Sequence, residues 1–123
     1  MTDRRQFITA ALVAASGLPW HAARAAAATA DLDPRQAGRP RAGPDDAAIR
    51  AASGYHWVRD GAFTVAISPH APPVSTYATD ARTVVGADPD YAQLVADALG
   101  RTLVLVPIAW ADWPLGLTSG KYD

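Results

Sequence analysis

The feature that most constrains the fold is a helix pattern followed at once by an almost unbroken apolar strand. The strand is "TLVLVPI", residues 102–108, and a run this apolar is typical of a strand covered on both faces. Before it, Asp88 suits an N-cap, Pro89 suits the first helical position and Gly100 suits a helix end. A helix leading into such a strand is typical of a βαβ unit, so the sequence predicts an α/β fold.

The remaining elements are shorter. A first strand is predicted over Phe63–Ser68 and ends at Pro69, which has no N–H to donate to a ladder. The loop "PHAPP" is expected to be rigid. Two extended pieces, Val74–Tyr77 and Thr83–Val85, are joined by a turn, and a last helix is predicted over Trp110–Ser119.

Both main helices carry an apolar pattern that predicts a buried face. In the first helix the expected buried residues are Tyr91, Leu94, Val95, Ala98 and Leu99. In the last helix the apolar members are Trp110, Trp113, Leu115 and Leu117.

The N-terminus has the pattern of an export signal. Arg4 and Arg5 precede a short apolar run, Phe7–Leu18, and Ala23-Arg24-Ala25 is a small-x-small cleavage pattern. The arginine pair with its following Gln, Phe and Ile resembles the twin-arginine motif. The alternative is a membrane anchor, but the run is shorter than the ~20 apolar residues that span a bilayer. We therefore predict a signal peptide over residues 1–25, cleaved near Ala25, and a periplasmic protein.

Residues 26–53 have a different composition from the rest. Ala, Pro, Gly, Asp and Arg dominate, and the segment has no aromatic residue. Such a segment buries too little apolar surface to offset its chain entropy, so a disordered leader is predicted there. A short helix over 44–52 is the one element expected within it. Order is predicted over residues 54–123.

Several chemistries find no support in the sequence. The chain has no cysteine, and its formal charge of −1 gives no electrostatic basis for binding nucleic acid. His56 and His70 have no neighbouring ligand set for a metal. Asp88 and Asp90 are accounted for by a helix N-terminus. No catalytic residue, metal or cofactor is therefore predicted.

The candidate binding residues lie at strand ends. In an open α/β sheet, ligands bind beyond the carboxyl ends of the strands. The first strand leads into Ser68 and His70, and the second leads into Trp110. Parallel strands would bring both loops to one edge. Trp110 could then stack on a ligand or pack under its own helix, and the pattern does not choose between the two.

Four motifs, in order, carry a family resemblance. They are Pro72-Pro73-Val74, Gly86-Ala87-Asp88-Pro89-Asp90, Leu99-Gly100, and the stretch from Trp110 to Gly120-Lys121-Tyr122-Asp123. Together they resemble the opening of the family 3 periplasmic solute-binding proteins, the amino-acid-type substrate-binding proteins of ABC importers. The sequence departs from the family at Val74, where an aromatic residue is usual, and at Ala71, where many members have a stacking Tyr or Phe.

The resemblance implies a type II periplasmic binding protein with two lobes. Residues 54–123 would be the first part of lobe one, and the chain is expected to be truncated because the family's carboxylate- and amine-binding residues would lie beyond Asp123. The solute would be an amino acid or small organic acid, and the partner an ABC permease in the inner membrane. Ser68, His70 and Trp110 would line the cleft, with Trp110 at a family position that packs on the solute.

Three other functions remain open at this stage. The same fold, by resemblance, serves periplasmic dehydratase-like enzymes, which need a positioned acid or base in the closed cleft. A sensor or partner-protein module would be indicated by a transmembrane segment downstream. A non-functional truncated product is the third.

Overall fold

The computed structural model describes residues 31–123, so the predicted signal peptide lies outside the described residues. The strands are β1 (Ala62–Ile67), β2 (His70–Ala71), β3 (Ser75–Tyr77), β4 (Val84–Val85) and β5 (Thr102–Pro107). The helices are α1 (Asp46–Ala51), α2 (Ala87–Ala98) and α3 (Trp113–Thr118), with a 3₁₀ turn over Trp110–Asp112.

The two long strands form a parallel pair. Ala62 of β1 lies opposite Thr102 of β5, and the register continues to Ile67 opposite Pro107. A parallel pair needs a crossover connection, which α2 supplies between the two strands. Both strands begin and end within one residue of their predicted bounds, and the α/β fold class is confirmed.

A small antiparallel sheet, in the order β2-β3-β4, lies between β1 and α2 in the chain. The rigid loop predicted after β1 contains β2, because His70 and Ala71 pair with Thr76 and Ser75 of β3. Two of the three prolines that suggested a loop, Pro72 and Pro73, come after these two residues and lie in the turn into β3. The hairpin therefore begins earlier than predicted.

Helix α2 begins one residue before its predicted cap. Gly86, not Asp88, is the N-cap residue, with φ 129°, a conformation that favours glycine. A side chain there would collide with the backbone of the preceding hairpin, since the Pro73 carbonyl oxygen lies 2.8 Å from the position of a Cβ. The Asp88 N–H donates to the Val74 carbonyl at 3.0 Å. The Val74 carbonyl of the hairpin thus accepts a hydrogen bond from the first turn of α2, which is the role that was expected of the Asp88 side chain as N-cap.

The buried face of α2 is also different from the prediction. Its buried residues are Pro89, Ala92, Ala96 and Asp97. Tyr91 is 74% exposed and Val95 36% exposed, although both were expected in the core. The small residues of α2 face the sheet and allow the helix to approach it closely. The larger apolar residues then lie beside the sheet rather than against it.

The last helix is shorter and less buried than predicted. Its first turn is the 3₁₀ turn, and Trp110, Trp113, Leu115 and Leu117 are all exposed. Gly116 is the buried residue of α3, because the ring of Tyr122 packs where its side chain would be. The Tyr122 hydroxyl donates to the Trp113 carbonyl at 2.7 Å. Contact with Tyr122, rather than burial of the tryptophans, holds α3 in place.

Residues 31–45, here called the N-terminal strap, take defined positions where a disordered leader was expected. The Arg41 guanidinium donates to both carboxylate oxygens of Asp97, at 2.7 and 2.8 Å. The Ala42 N–H also donates to Asp97, and the Asp45 N–H donates to the Ala98 carbonyl. Charge-assisted hydrogen bonds attach this segment to α2, which is why an apolar pattern did not reveal it.

Candidate functional site

The carboxyl end of the parallel pair is where the predicted binding residues meet. The Ile108 N–H donates to the Ile67 carbonyl at 2.8 Å, which keeps the end of β5 beside the end of β1. After β1, the His70 N–H donates to the Ser68 carbonyl at 2.9 Å, turning the chain into the hairpin. Both loops therefore open at the same edge of the sheet, as parallel strands require.

A cavity of about 720 Å³ opens at this edge. Ser68, His70 and Trp110 all line it. Its volume is within the usual range for small-molecule sites. The structure thus brings together the three residues singled out in the sequence, and their role in binding a ligand stays a prediction.

The indole of Trp110 projects from the protein rather than packing under its own helix. It is 74% exposed, and its ring centre lies 6.4 Å from that of Trp113. An aromatic ring held at the mouth of a cavity offers a flat apolar face to a ligand. Of the two placements left open by the pattern, the structure has the one that leaves the ring accessible.

The cavity is mainly apolar, but its lining includes polar groups. Besides Ser68 and His70, these come from Ser75, Asp88, the Tyr91 hydroxyl and the Trp110 indole N–H. Ser75 is 2% exposed, and its hydroxyl has no hydrogen-bond partner among residues 31–123. No lysine or arginine is among the lining residues that the structure describes. The described lining therefore offers one carboxylate and several other hydrogen-bonding groups, without a lysine or an arginine.

Sequence reasoning missed Ser75 and Asp88 as members of this lining. The sequence predicts Asp88 as a helix cap, and Ser75 lies in a short strand whose apolar pattern is weak. The alternation of side chains along β3 is the one signal that could have placed Ser75 on the inner face, because neighbours in a strand point to opposite sides.

A second cavity, of about 300 Å³, adjoins the first along β1. Their shared lining is Phe63, Val65, Ala66, Ile67, Ser68 and Trp110. Tyr91 and Val95 of α2 stand on one side, and Trp113 and Leu117 of α3 on the other. We call this continuous channel the β1 groove.

Residues 31–123 contain no cluster of three or more histidine or acidic side chains that could hold a metal ion. Within the same residues, no helix has the length and apolar character needed to cross a membrane. The β1 groove with its mouth is thus the main candidate site there.

A cavity beyond the carboxyl ends of parallel strands is typical of α/β proteins that bind a small ligand. Residues 63–123 match the model of the bacterial extracellular solute-binding proteins, family 3, and this segment of the chain belongs to that family. The matched residues include all four motifs on which the resemblance was based. The comparison with curated proteins and the comparison with solved structures each gave no match.

The family match indicates the general role. The family that residues 63–123 match consists of extracellular solute-binding proteins, and it is defined by binding rather than by a reaction. It also implies a small-molecule solute and, in general, a transporter as partner.

Proposed function

We propose that this protein is the periplasmic solute-binding component of an ABC importer. It captures a small polar solute, such as an amino acid or a small organic acid, and delivers it to a permease in the inner membrane. The observation that carries the proposal is the placement of Ser68, His70 and Trp110 around one cavity, in a segment that belongs to a solute-binding family.

Each of the three side chains has a role suited to its chemistry. The exposed indole of Trp110 stacks on the solute, since its face is apolar and accessible. The hydroxyl of Ser68 and the imidazole of His70 provide hydrogen bonds at the cavity mouth. Because the described lining contains no cation, the group that holds a solute carboxylate belongs to another part of the complete binding site.

Delivery follows from the two-lobe architecture that the resemblance implies. Closure of two lobes around the solute creates a shape that a permease distinguishes from the open form. In this proposal residues 1–25 direct export and residues 54–123 contribute to lobe one, and the segment between them includes the N-terminal strap that is attached to α2.

The binding role is tested by NMR titration of the ¹⁵N-labelled chain with a panel of amino and organic acids. This method detects binding as weak as millimolar, the strength expected if the chain supplies only part of the site. We expect amide signals near Ser68 to shift with at least one solute. Replacing Trp110 with alanine should weaken that binding by about 0.5–1.5 kcal/mol, or roughly 2- to 12-fold in Kd.

Trp113→Ala is the matched control, because Trp113 is an exposed tryptophan that does not line the larger cavity. The Kd of this variant should remain within twofold of the Kd of the unmodified chain. Equal losses in both variants would show that the aromatic pair acts through the stability of α3. A panel without any shift near Ser68 would contradict the assigned site.

A further inference from the structure

A separate, polar cavity lies between the N-terminal strap and α2, on the other side of that helix from the β1 groove. Its volume is about 350 Å³, at the small end of the usual range for small-molecule sites. Gln93 of α2 lines it, together with Thr83 of the β3–β4 turn and six strap residues between Pro34 and Arg41. None of these residues lines either cavity of the β1 groove.

The strap is attached to the fold at several points around this cavity. Near its start, the Thr79 N–H of the β3–β4 turn donates to the Leu32 carbonyl at 3.0 Å. In its middle, the Arg39 guanidinium donates to the Val84 carbonyl of β4 at 3.1 Å. Near its end, the two bonds from Arg41 described above join it to α2. A segment held at three points keeps the cavity lining in one arrangement, which lowers the cost of ordering it around a ligand.

Three guanidinium groups line this cavity, those of Arg35, Arg39 and Arg41. Each has an aspartate beside it, at N–O distances from 2.6 to 3.1 Å. The three aspartates are Asp33, Asp90 and Asp97. No aspartate or glutamate is among the described residues that line the cavity. The ion pairs therefore hold the arginines in place, while the cavity itself presents cations only.

The ion pairs leave part of each guanidinium group without a partner. Arg35 and Arg41 bind their aspartates through Nε and Nη2, and Nη1 of each makes no hydrogen bond within residues 31–123. The Arg39 Nε is buried and also makes none there, although Asp90 Oδ1 is 3.1 Å away. A guanidinium group has five N–H donors in a planar fork, and this fork matches the oxygens of a phosphate group.

We propose that this cavity, here called the strap site, binds a small soluble anion that carries phosphate. Arg35 and Arg41, whose side chains are 83% and 68% exposed, contact its oxygens at the rim, and Arg39, 18% exposed, contacts them from within. Phosphate is favoured over a single carboxylate because three cations attract a multivalent anion more strongly than a monovalent one. The solute role belongs to the β1 groove, and this inference does not depend on it.

The probe is pyrophosphate, titrated into the ¹⁵N-labelled full chain in a low-salt buffer without phosphate or sulfate. We expect saturable NMR shifts of the Thr83 and Gln93 amide signals, which weaken when about 0.5 M sodium chloride is added. Acetate, with one negative charge, should give no saturable shift. In the protein, Arg35→Gln should raise the Kd at least about threefold, because it removes one of the three cations.

Arg59→Gln is the matched control, since Arg59 is an exposed arginine that does not line the cavity. The Kd of this variant should stay within twofold of the Kd of the unmodified chain. Arg35→Gln is chosen because Arg35 bonds only to Asp33 among the described residues, so the variant keeps the attachments of the strap. Circular dichroism of both variants checks that the fold is unchanged.

Three results would overturn the proposal. The first is a titration in which pyrophosphate shifts neither Thr83 nor Gln93. The second is an equal change of Kd in Arg35→Gln and Arg59→Gln, which would reduce the effect to overall charge. The third is cosedimentation with phosphatidylglycerol vesicles that Arg35→Gln abolishes and pyrophosphate cannot compete away, which would assign the arginines to lipid headgroups. None of these outcomes depends on whether a solute binds in the β1 groove.

Discussion

At the scale of single residues, the Asp97 carboxylate collects hydrogen bonds from three other residues. It is 8% exposed and accepts hydrogen bonds from Arg41, from the Ala42 N–H and from Gln93. The hydrogen bond from the Arg41 guanidinium, aided by the Ala42 amide, holds the pKa of Asp97 well below its usual range. A carboxylate that attracts this many donors joins the N-terminal strap to α2 only while it is ionised.

We predict that Asp97→Asn lowers the urea midpoint at pH 7, and that the difference from the unmodified protein shrinks in acid. The folded-state pKa lies below the unfolded one, so the stabilisation is complete above the ordinary value of 3.8 and is lost as the pH falls below it. The measurement is urea unfolding, followed by circular dichroism, at several pH values between 7 and 2.

Asp46→Asn is the control, since Asp46 is exposed in the first turn of α1 and contacts no part of α2 by a hydrogen bond among the described residues. Its midpoint should follow that of the unmodified protein at every pH. A difference for Asp97→Asn that is constant from pH 7 to pH 2 would show that ionisation of Asp97 is not what attaches the strap.

At the scale of elements, the start of α2 depends on the close approach of two backbones. Gly86→Ala places a methyl group against the Val74 and Pro73 carbonyls and requires a φ of 129° that alanine rarely adopts. We predict a loss of about 1–3 kcal/mol in the free energy of unfolding, measured by urea titration. Gly43→Ala, with no atom within 4 Å of the added Cβ, should change it by less than about 0.5 kcal/mol. Equal effects at the two glycines would contradict this account.

The sequence was most informative where the signal is local. Strands β1 and β5 were predicted to within one residue, because a run of apolar residues bounded by Gly and Pro is visible in the local sequence. The cap of α2 was misplaced because the partner of its first turns is the hairpin backbone at Val74. The position of the N-terminal strap depends on Arg41 and Asp97, which are 56 residues apart, and no local pattern joins them.

The candidate site likewise combines residues that the sequence could place and residues that only the tertiary structure places. Ser68, His70 and Trp110 could be placed at one edge from topology alone, because parallel strands direct their carboxyl ends to the same side. Ser75 and Asp88 join the lining because the hairpin folds back beside β1, a tertiary arrangement. Tyr91 was assigned to the core because periodicity shows that a helix has an apolar face but not what that face contacts.

At the scale of the whole molecule, the proposed role requires that the protein leave the cytoplasm. We predict that Arg4→Lys combined with Arg5→Lys reduces accumulation in the periplasm severalfold, because the arginine pair is the recognised part of the twin-arginine signal. Cell fractionation with immunoblotting measures the distribution, and mass spectrometry of the mature N-terminus should place the cleavage near Ala25. Arg24→Lys, next to the cleavage site, is the matched control for the loss of arginine. Unchanged export of the double variant would contradict the route.

The placement of the tryptophans gives the protein an optical signal of its own. Trp57 lies beneath the Arg101 guanidinium, 3.9 Å from the ring centre, whereas Trp110 projects beside the cavity. An indole in water emits at longer wavelength than one covered by protein or ligand, so anything that occupies the cavity mouth should shift the Trp110 component of the emission to the blue. Replacing Trp57 and Trp113 with phenylalanine would remove the emission of the other described indoles. Unlabelled compounds could then be screened in bulk, before any of them is known to bind.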